Sequence, residues 1–246
     1  MRVSALFAAL VLAAQFAHAA PDVFTLQTQA MRGDMMAQYQ LAQYYQQQDE
    51  YSQAETWFEQ AAKQGYAPAQ TQFAWYRYAV QDYDSAAQWY AAAAEQGDAE
   101  AQFNMGLLHE RGDGVAQDGQ TALNWYMQAA AQHYPQAQTR LGWLHEQGVY
   151  VGKSSVQAAK WYEKAAKSGY ADAQFNLAAM HDEQGNYRTA ATWYAKAAAQ
   201  NHAKSAFNLA VLYQQGLGVK KDSAKMRELL QQAARLGLEE AEAALK

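Results

Sequence analysis

A Trp followed by Phe or Tyr returns along the chain at nearly fixed spacing: Trp57-Phe58, Trp89-Tyr90, Trp125-Tyr126, Trp161-Tyr162 and Trp193-Tyr194. Leu229-Leu230 takes the sixth place, and successive pairs lie 32, 36, 36, 32 and 36 residues apart. A unit that short cannot bury its own apolar face, so each must stack on its neighbours. A chain built this way presents a long surface and is suited to binding; catalysis would need residues of its own.

Aligned on these pairs, the chain holds six units at 37–68, 69–100, 101–136, 137–172, 173–204 and 205–240. Each opens with a helix A whose apolar residues recur at spacings of four and three, as in Ala101, Met105 and Leu108, which is one face of a 3.6-residue helix. A helix B follows, with Ala158, Trp161, Ala165 and Ala166 as its apolar set in one unit. Helix B ends at Gly65, Gly97, Gly169 or Gly237, where glycine accepts the left-handed conformation that closes a helix. His133 and Asn201 replace it in two units, and Asn tolerates that conformation better than His. The small residues Ala42, Ala74, Gly106, Gly142, Ala178 and Ala210 fall mid-helix, where they admit close helix approach.

Unit length varies only between the two helices. Long loops carry Gly112-Asp113-Gly114-Val115, Gly148-Val149-Tyr150-Val151 and Gly216-Leu217-Gly218-Val219; short ones read Asp49-Glu50-Tyr51, Asp82-Tyr83-Asp84 and Gly185-Asn186-Tyr187. Residues 20–36 resemble the end of a preceding helix B, since Ala30 and Gly33 keep the spacing of Ala62 and Gly65, and 241–246 resemble the start of a further helix A. Both are expected to cap the stack. The fold class expected is all-α: a right-handed α-solenoid of antiparallel helix pairs with helical caps.

Residues 1–19 combine Arg2, an apolar run from Val3 to Ala14 and Ala17-His18-Ala19, which is the pattern of a cleavable secretory signal peptide. The expectation is export to a bacterial periplasm, or secretion. The chain has no Cys, so neither a disulfide framework nor a lipidated cysteine is available. Without the leader, 18 Lys and Arg face 24 Asp and Glu, a net charge of about −6. No basic cluster is denser than Lys220-Lys221, which argues against a nucleic-acid partner. No stretch is long and apolar enough for membrane insertion as a stable anchor.

The unit of Ala101-Gln102-Phe103-Asn104-Met105-Gly106, Gly112-Asp113-Gly114-Val115 and Ala122 to Ala130 around Trp125-Tyr126 resembles the Sel1-like repeat family, a branch of the tetratricopeptide superfamily. The resemblance recurs six times over roughly 37–240; the three short units depart toward tetratricopeptide spacing, and Met226, Leu229 and Leu230 depart in the last. It implies a protein-interaction module whose helix A rows line a concave groove.

The sequence contains no H-E-x-x-H, G-x-S-x-G, S-x-x-K or phosphate-binding glycine loop, so no enzyme activity and no cofactor are expected. His109, His145 and His181 recur one unit apart, each before an acidic residue. Stacked helices lie ~10 Å apart, too far for one metal ion with ligand bonds of ~2 Å, so the column reads as half-buried rings and no metal is expected. The Trp column reads as core.

The side of helix A opposite the core is the variable one. Its candidate partner-binding residues are Trp75, Tyr78, Phe103, Asn104, Leu107, Arg140, Trp143, Asn176 and Asn208, aromatic anchors beside groups that hydrogen-bond an extended backbone. The function expected is a non-catalytic envelope adaptor or regulator, monomeric, that binds a protein or peptide in that groove. Two alternatives stand beside it: an immunity protein against a secreted effector, and a peptidoglycan- or polysaccharide-binding or β-lactam-active protein.

Overall fold

The structure, a computed structural model, describes residues 23–245. The signal-peptide expectation at 1–19 lies outside the described residues. All regular structure among the described residues is helical. In chain order the helices are α1 (Val23–Met31), α2 (Met35–Gln47), α3 (Tyr51–Lys63), α4 (Ala67–Ala79), α5 (Tyr83–Glu95), α6 (Ala99–Arg111) and α7 (Gly119–Ala131). They continue as α8 (Pro135–Gln147), α9 (Ser155–Lys167), α10 (Ala171–Glu183), α11 (Tyr187–Ala198), α12 (Ala203–Gln215), α13 (Ser223–Arg235) and α14 (Glu239–Ala244). The chain divides into two compact units between Gln96 and Gly97, so α1–α5 form unit 1 and α6–α14 form unit 2. Within each, every helix packs against the next, which is the stacked-pair architecture of an α-solenoid.

In the first five repeats helix A starts two residues before its first buried alanine; in the sixth, Ser205 takes that alanine's place. Asp34 and Asp98 accept from the backbone N–H of Ala37 and Ala101, and Pro135 sits at the first helical position of α8. The C-terminal ends of helix B have the backbone the sequence requires: φ is +90° at Gly65 and +95° at Gly169, but also +64° at His133 and +63° at Asn201. At the chain ends, Leu26 and Ala30 of α1 bury against Ala37 and Leu41, and α14 buries Ala241 beside Leu229 and Ala233.

The aromatic pair divides its labour differently from the expectation that Trp is the core residue. Phe58, Tyr126 and Tyr162 are completely buried and Tyr194 nearly so, while Trp57, Trp125, Trp161 and Trp193 are half-buried. Trp193 packs against two successive core clusters, so the Trp acts as a wedge at the seam between repeats. The Tyr rings fill the space left by the small column: a methyl on Gly106 would lie 2.4 Å from the Tyr126 ring, and one on Gly142 2.6 Å from Tyr162.

A second column is buried although polar. The Nε2 groups of Gln38, Gln70, Gln138 and Gln174 donate to the carbonyls of Ala30, Ala62, Ala130 and Ala166, at 3.1–3.2 Å. Those carbonyls end the preceding helix B, where the i+4 donor is missing; each accepts the backbone N–H three residues on, at 2.9–3.1 Å, and the glutamine supplies a second hydrogen bond. Gln64, Gln96, Gln132 and Gln200 in turn donate to the Oε1 of Gln38, Gln70, Gln102 and Gln174 at 2.7–2.9 Å. In the sixth repeat Ala206 stands in the glutamine column, and Gln232 from helix B reaches the Ala198 carbonyl instead, at 2.7 Å.

Candidate functional site

The outward side of helix A carries the candidate residues in two sets. In unit 1, Trp75 of α4 is 49% exposed and stands edge-on to the buried Tyr76, whose ring centre is 5.1 Å away. Tyr78, one turn on, is half-buried against Tyr83 across the short loop of its repeat, with ring centres 5.0 Å apart.

Unit 2 brings the other seven onto α6, α8, α10 and α12. Phe103 lies 5.6 Å from both Tyr126 and Tyr134, and with Leu107 it packs against the buried cluster of α7 and α8, so these two are half core. Trp143 is 36% exposed. The Arg140 guanidinium sits 4.3 Å from the centre of the Trp143 ring. Arg140 Nε donates to Glu110 Oε2 at 3.1 Å, and its terminal nitrogen contacts Glu110 Oε1, a forked pair spanning two repeats. Asn104 and Asn176 are half-buried at the positions equivalent to Arg140, and Asn208 donates to the Tyr194 hydroxyl at 3.0 Å.

The buried tyrosines are what the sequence reading missed in this region. Their rings are core, yet their hydroxyls emerge beneath the face: Tyr126 donates to Glu110 at 2.6 Å, Tyr162 to Glu146 at 2.9 Å and Tyr194 to Asp182 at 3.4 Å. Burial, reinforced by the carboxylate beside each, raises the ionisation of Tyr126 and Tyr162 far above that of free tyrosine. Tyr194 is pushed up to about 12, again mainly by burial. All three hydroxyls stay protonated donors at neutral pH and hold the acidic row Glu110, Glu146, Asp182 in place. The signal in the sequence was the match of Tyr in helix B with Glu or Asp ending helix A; Phe58 lacks the hydroxyl, and its repeat has Gln46 in the acidic position.

The face is therefore an exposed indole braced by a cation, beside fixed carboxylates and carboxamides. It offers an apolar anchor with flanking polar groups and no activated nucleophile. Behind it, His109 Nδ1 pairs with the Ala116 carbonyl at 3.1 Å, whereas the Nδ1 atoms of His145 and His181 are buried without a partner.

The fold and this site define a helical-repeat interaction scaffold. The model of the Sel1 repeat matches six times, over 36–66, 73–98, 99–134, 135–170, 171–202 and 203–238, and the chain belongs to the Sel1 repeat family. No curated protein matches the sequence. Among solved structures, c5321, a protective antigen of uropathogenic Escherichia coli with an SLR fold, is 32% identical with a TM-score of 0.78, covering 91% of this chain and 50% of its own. A Sel1 repeat protein from Oxalobacter formigenes is 30% identical with a TM-score of 0.79, covering 89% of this chain and 67% of its own. The chain thus spans half the length of the first and two thirds of the second. The immunity protein PA5088 from Pseudomonas aeruginosa shares the fold at 20% identity, with a TM-score of 0.55 over 78% of this chain and 74% of its own.

Proposed function

We propose that this protein binds a segment of a partner protein on the helix A face of unit 2, as an adaptor or regulator in the bacterial envelope that carries out no reaction of its own. The observation that carries the reading is the Trp143, Arg140, Glu110 and Tyr126 group. An exposed indole is held in one orientation by a guanidinium that is itself fixed by a carboxylate on the neighbouring repeat. Side chains immobilised before binding lose little entropy on association, and Trp with Arg is the pair that commonly dominates interface energies. Export through residues 1–19 is part of the proposal and rests on Ala17-His18-Ala19 after an apolar run.

The alternative of sugar binding is weaker, because Glu110 and Glu146 are occupied by Arg140 or tyrosine hydroxyls and Trp143 has no aromatic ring stacked beside it among the described residues of unit 2. Shielding against a secreted effector would use the same face, and the identity of the partner separates the two roles.

The test immobilises wild type, Trp143→Ala, Arg140→Ala and the exposed control Gln157→Ala, and quantifies partners captured from envelope extract by mass spectrometry. The expected result is one partner retained by wild type and Gln157→Ala and reduced about thirtyfold by Trp143→Ala, as for an anchor worth ~2 kcal/mol. Capture that is the same for all four proteins would move the interface off this face.

A further inference from the structure

On the opposite side of helix A, the first, second, fourth, fifth and sixth repeats each have a slot bounded by the preceding helix B, its own helix A and its own helix B. Four of these slots are filled, by three different devices. In the first repeat Tyr45 occupies it and accepts a hydrogen bond from Gln27 of α1 at 3.0 Å. In the second, Arg77 of α4 reaches back to pair with Glu55 of α3 and lies 5.2 Å from the Phe73 ring.

The fourth and sixth slots are filled by their long loops. Val149 and Val151 pack against the same cluster as Leu123 and Trp161, and Tyr150 rests on α7, where a methyl placed on Gly119 would lie 2.1 Å from its ring. Leu217 and Val219 pack against the cluster of Ala191 and Leu209, and Gly218 rests on the start of α11, where a methyl would lie 2.3 Å from the Tyr187 carbonyl carbon.

The fifth repeat has none of these devices. Its loop is four residues shorter, Ala159 stands where Leu123 and Glu55 stand elsewhere, and His181 stands where Arg77 does. What remains is a cavity of about 540 Å³, lined among others by Val156, Ala159, Lys160, Leu177, His181 and Trp193. Val156 is 64% exposed there, an apolar side chain with nothing over it. A further cavity of about 310 Å³ shares Ser155 and Gln184 with it, so the slot runs on past the end of α10.

We propose that this slot receives an extended segment of a partner protein that supplies in trans what the long loops supply in cis: two apolar side chains two residues apart, the second branched like Val151 and Val219. The charges at the slot add a preference. Glu163 is paired with Lys167 at 2.7 Å, while Lys160 has no carboxylate partner among the described residues, so the segment should carry an acidic residue beside its apolar pair. This site is separate from the helix A face and does not depend on the reading given for that face.

The experiment uses a fluorescent peptide, Glu-Gly-Leu-Gly-Val-Gly, which copies the apolar pattern of the sixth-repeat loop, and fluorescence anisotropy with the full chain. Saturable binding is expected, about tenfold weaker when Leu and Val of the peptide become Gly, because their burial is most of the contact. Ala159→Glu combined with His181→Arg installs the pair that fills the second slot, so it should fold like wild type by circular dichroism and bind at least about tenfold more weakly. Lys160→Glu should weaken binding several-fold at low salt and less at high salt. Absence of saturable binding, or equal binding with the slot filled, would overturn the proposal. So would loss of binding in Trp143→Ala with the filled-slot variant still binding, because the peptide would then sit on the helix A face.

Discussion

Substituting the two residues of one aromatic pair separately tests which of them holds the repeat together. Tyr162 is completely buried, its ring fills the hollow left by Gly142, and its hydroxyl donates to Glu146 at 2.9 Å. Tyr162→Ala should cost ~4 kcal/mol for the ring and its cavity, with roughly a further 1 kcal/mol from the lost hydrogen bond. Trp161 is half-buried with Lys164 Nζ 4.0 Å above its ring, so Trp161→Ala forfeits about half of that burial and a modest cation–π contact, ~2 kcal/mol in total. In a chain of this size the difference corresponds to roughly 5–12 °C in melting temperature. Thermal unfolding followed by circular dichroism reads it directly, and hydrogen exchange of the α9 amides shows whether the loss is centred on the fourth repeat, as it should be in a stack of neighbours. Tyr162→Phe supplies the intermediate point, with a loss of ~1 kcal/mol. An equal or larger loss for Trp161→Ala would refute the assignment of the tyrosine as anchor and the indole as seam.

Other outcomes follow from the same structure. Gln138→Leu removes one of the two donors to the Ala130 carbonyl, the other being the His133 N–H, at a site 2% exposed and should cost ~1 kcal/mol in urea unfolding; Gln232→Leu should behave similarly through Ala198. His133→Gly should stabilise by about 1 kcal/mol, since φ is +64° there and a side chain in that conformation is strained; a loss of stability would show that the His133 ring contributes more than its backbone costs. Tyr194 and Tyr170 are each raised from 10.0 to about 12, chiefly by burial. An unfolded tyrosine ionises first, so the stability these two contribute is intact below pH 10 and is lost as pH rises through 12. The difference in ultraviolet titration between wild type and a Tyr170→Phe, Tyr194→Phe variant should show the absorbance of these two phenolates appearing together with loss of helix in that range, and its appearance near pH 10 in the folded chain would contradict it.

Much of the fold was legible because repetition supplies internal controls. Six copies of one pattern identify the columns that always pack, and the spacing of Ala101, Met105 and Leu108 reports helix A without help from the rest of the chain. The same comparison misassigned the aromatic pair, since both members recur and periodicity cannot say which faces inward; only the hollow at Gly142 decides that it is Tyr162. The recurring glutamines at 38, 70, 102, 138 and 174 were equally regular and passed over, because a polar column suggests solvent until the carbonyl that closes the preceding helix is placed against it.

At the candidate site the sequence picked out the variable positions of helix A, of which Trp75 and Trp143 are exposed and the other seven half-buried. It could not show that Arg140, a neighbour of Trp143 on the same helix, is committed to Glu110, since that partner is 30 residues away and meets it only once the helices are packed. The open fifth slot lay further still from sequence reasoning. It is a difference of volume among repeats, set by a loop four residues shorter, Ala159 and His181 acting together, and a one-dimensional pattern records each without the space they leave. Local spacing therefore determined the helices, the repeat and the family, since those depend on periodicity along the chain. Which side chains are anchors, which are braced for contact and where the stack is left open were decided by tertiary packing, because they depend on what residues from different helices do to the same volume.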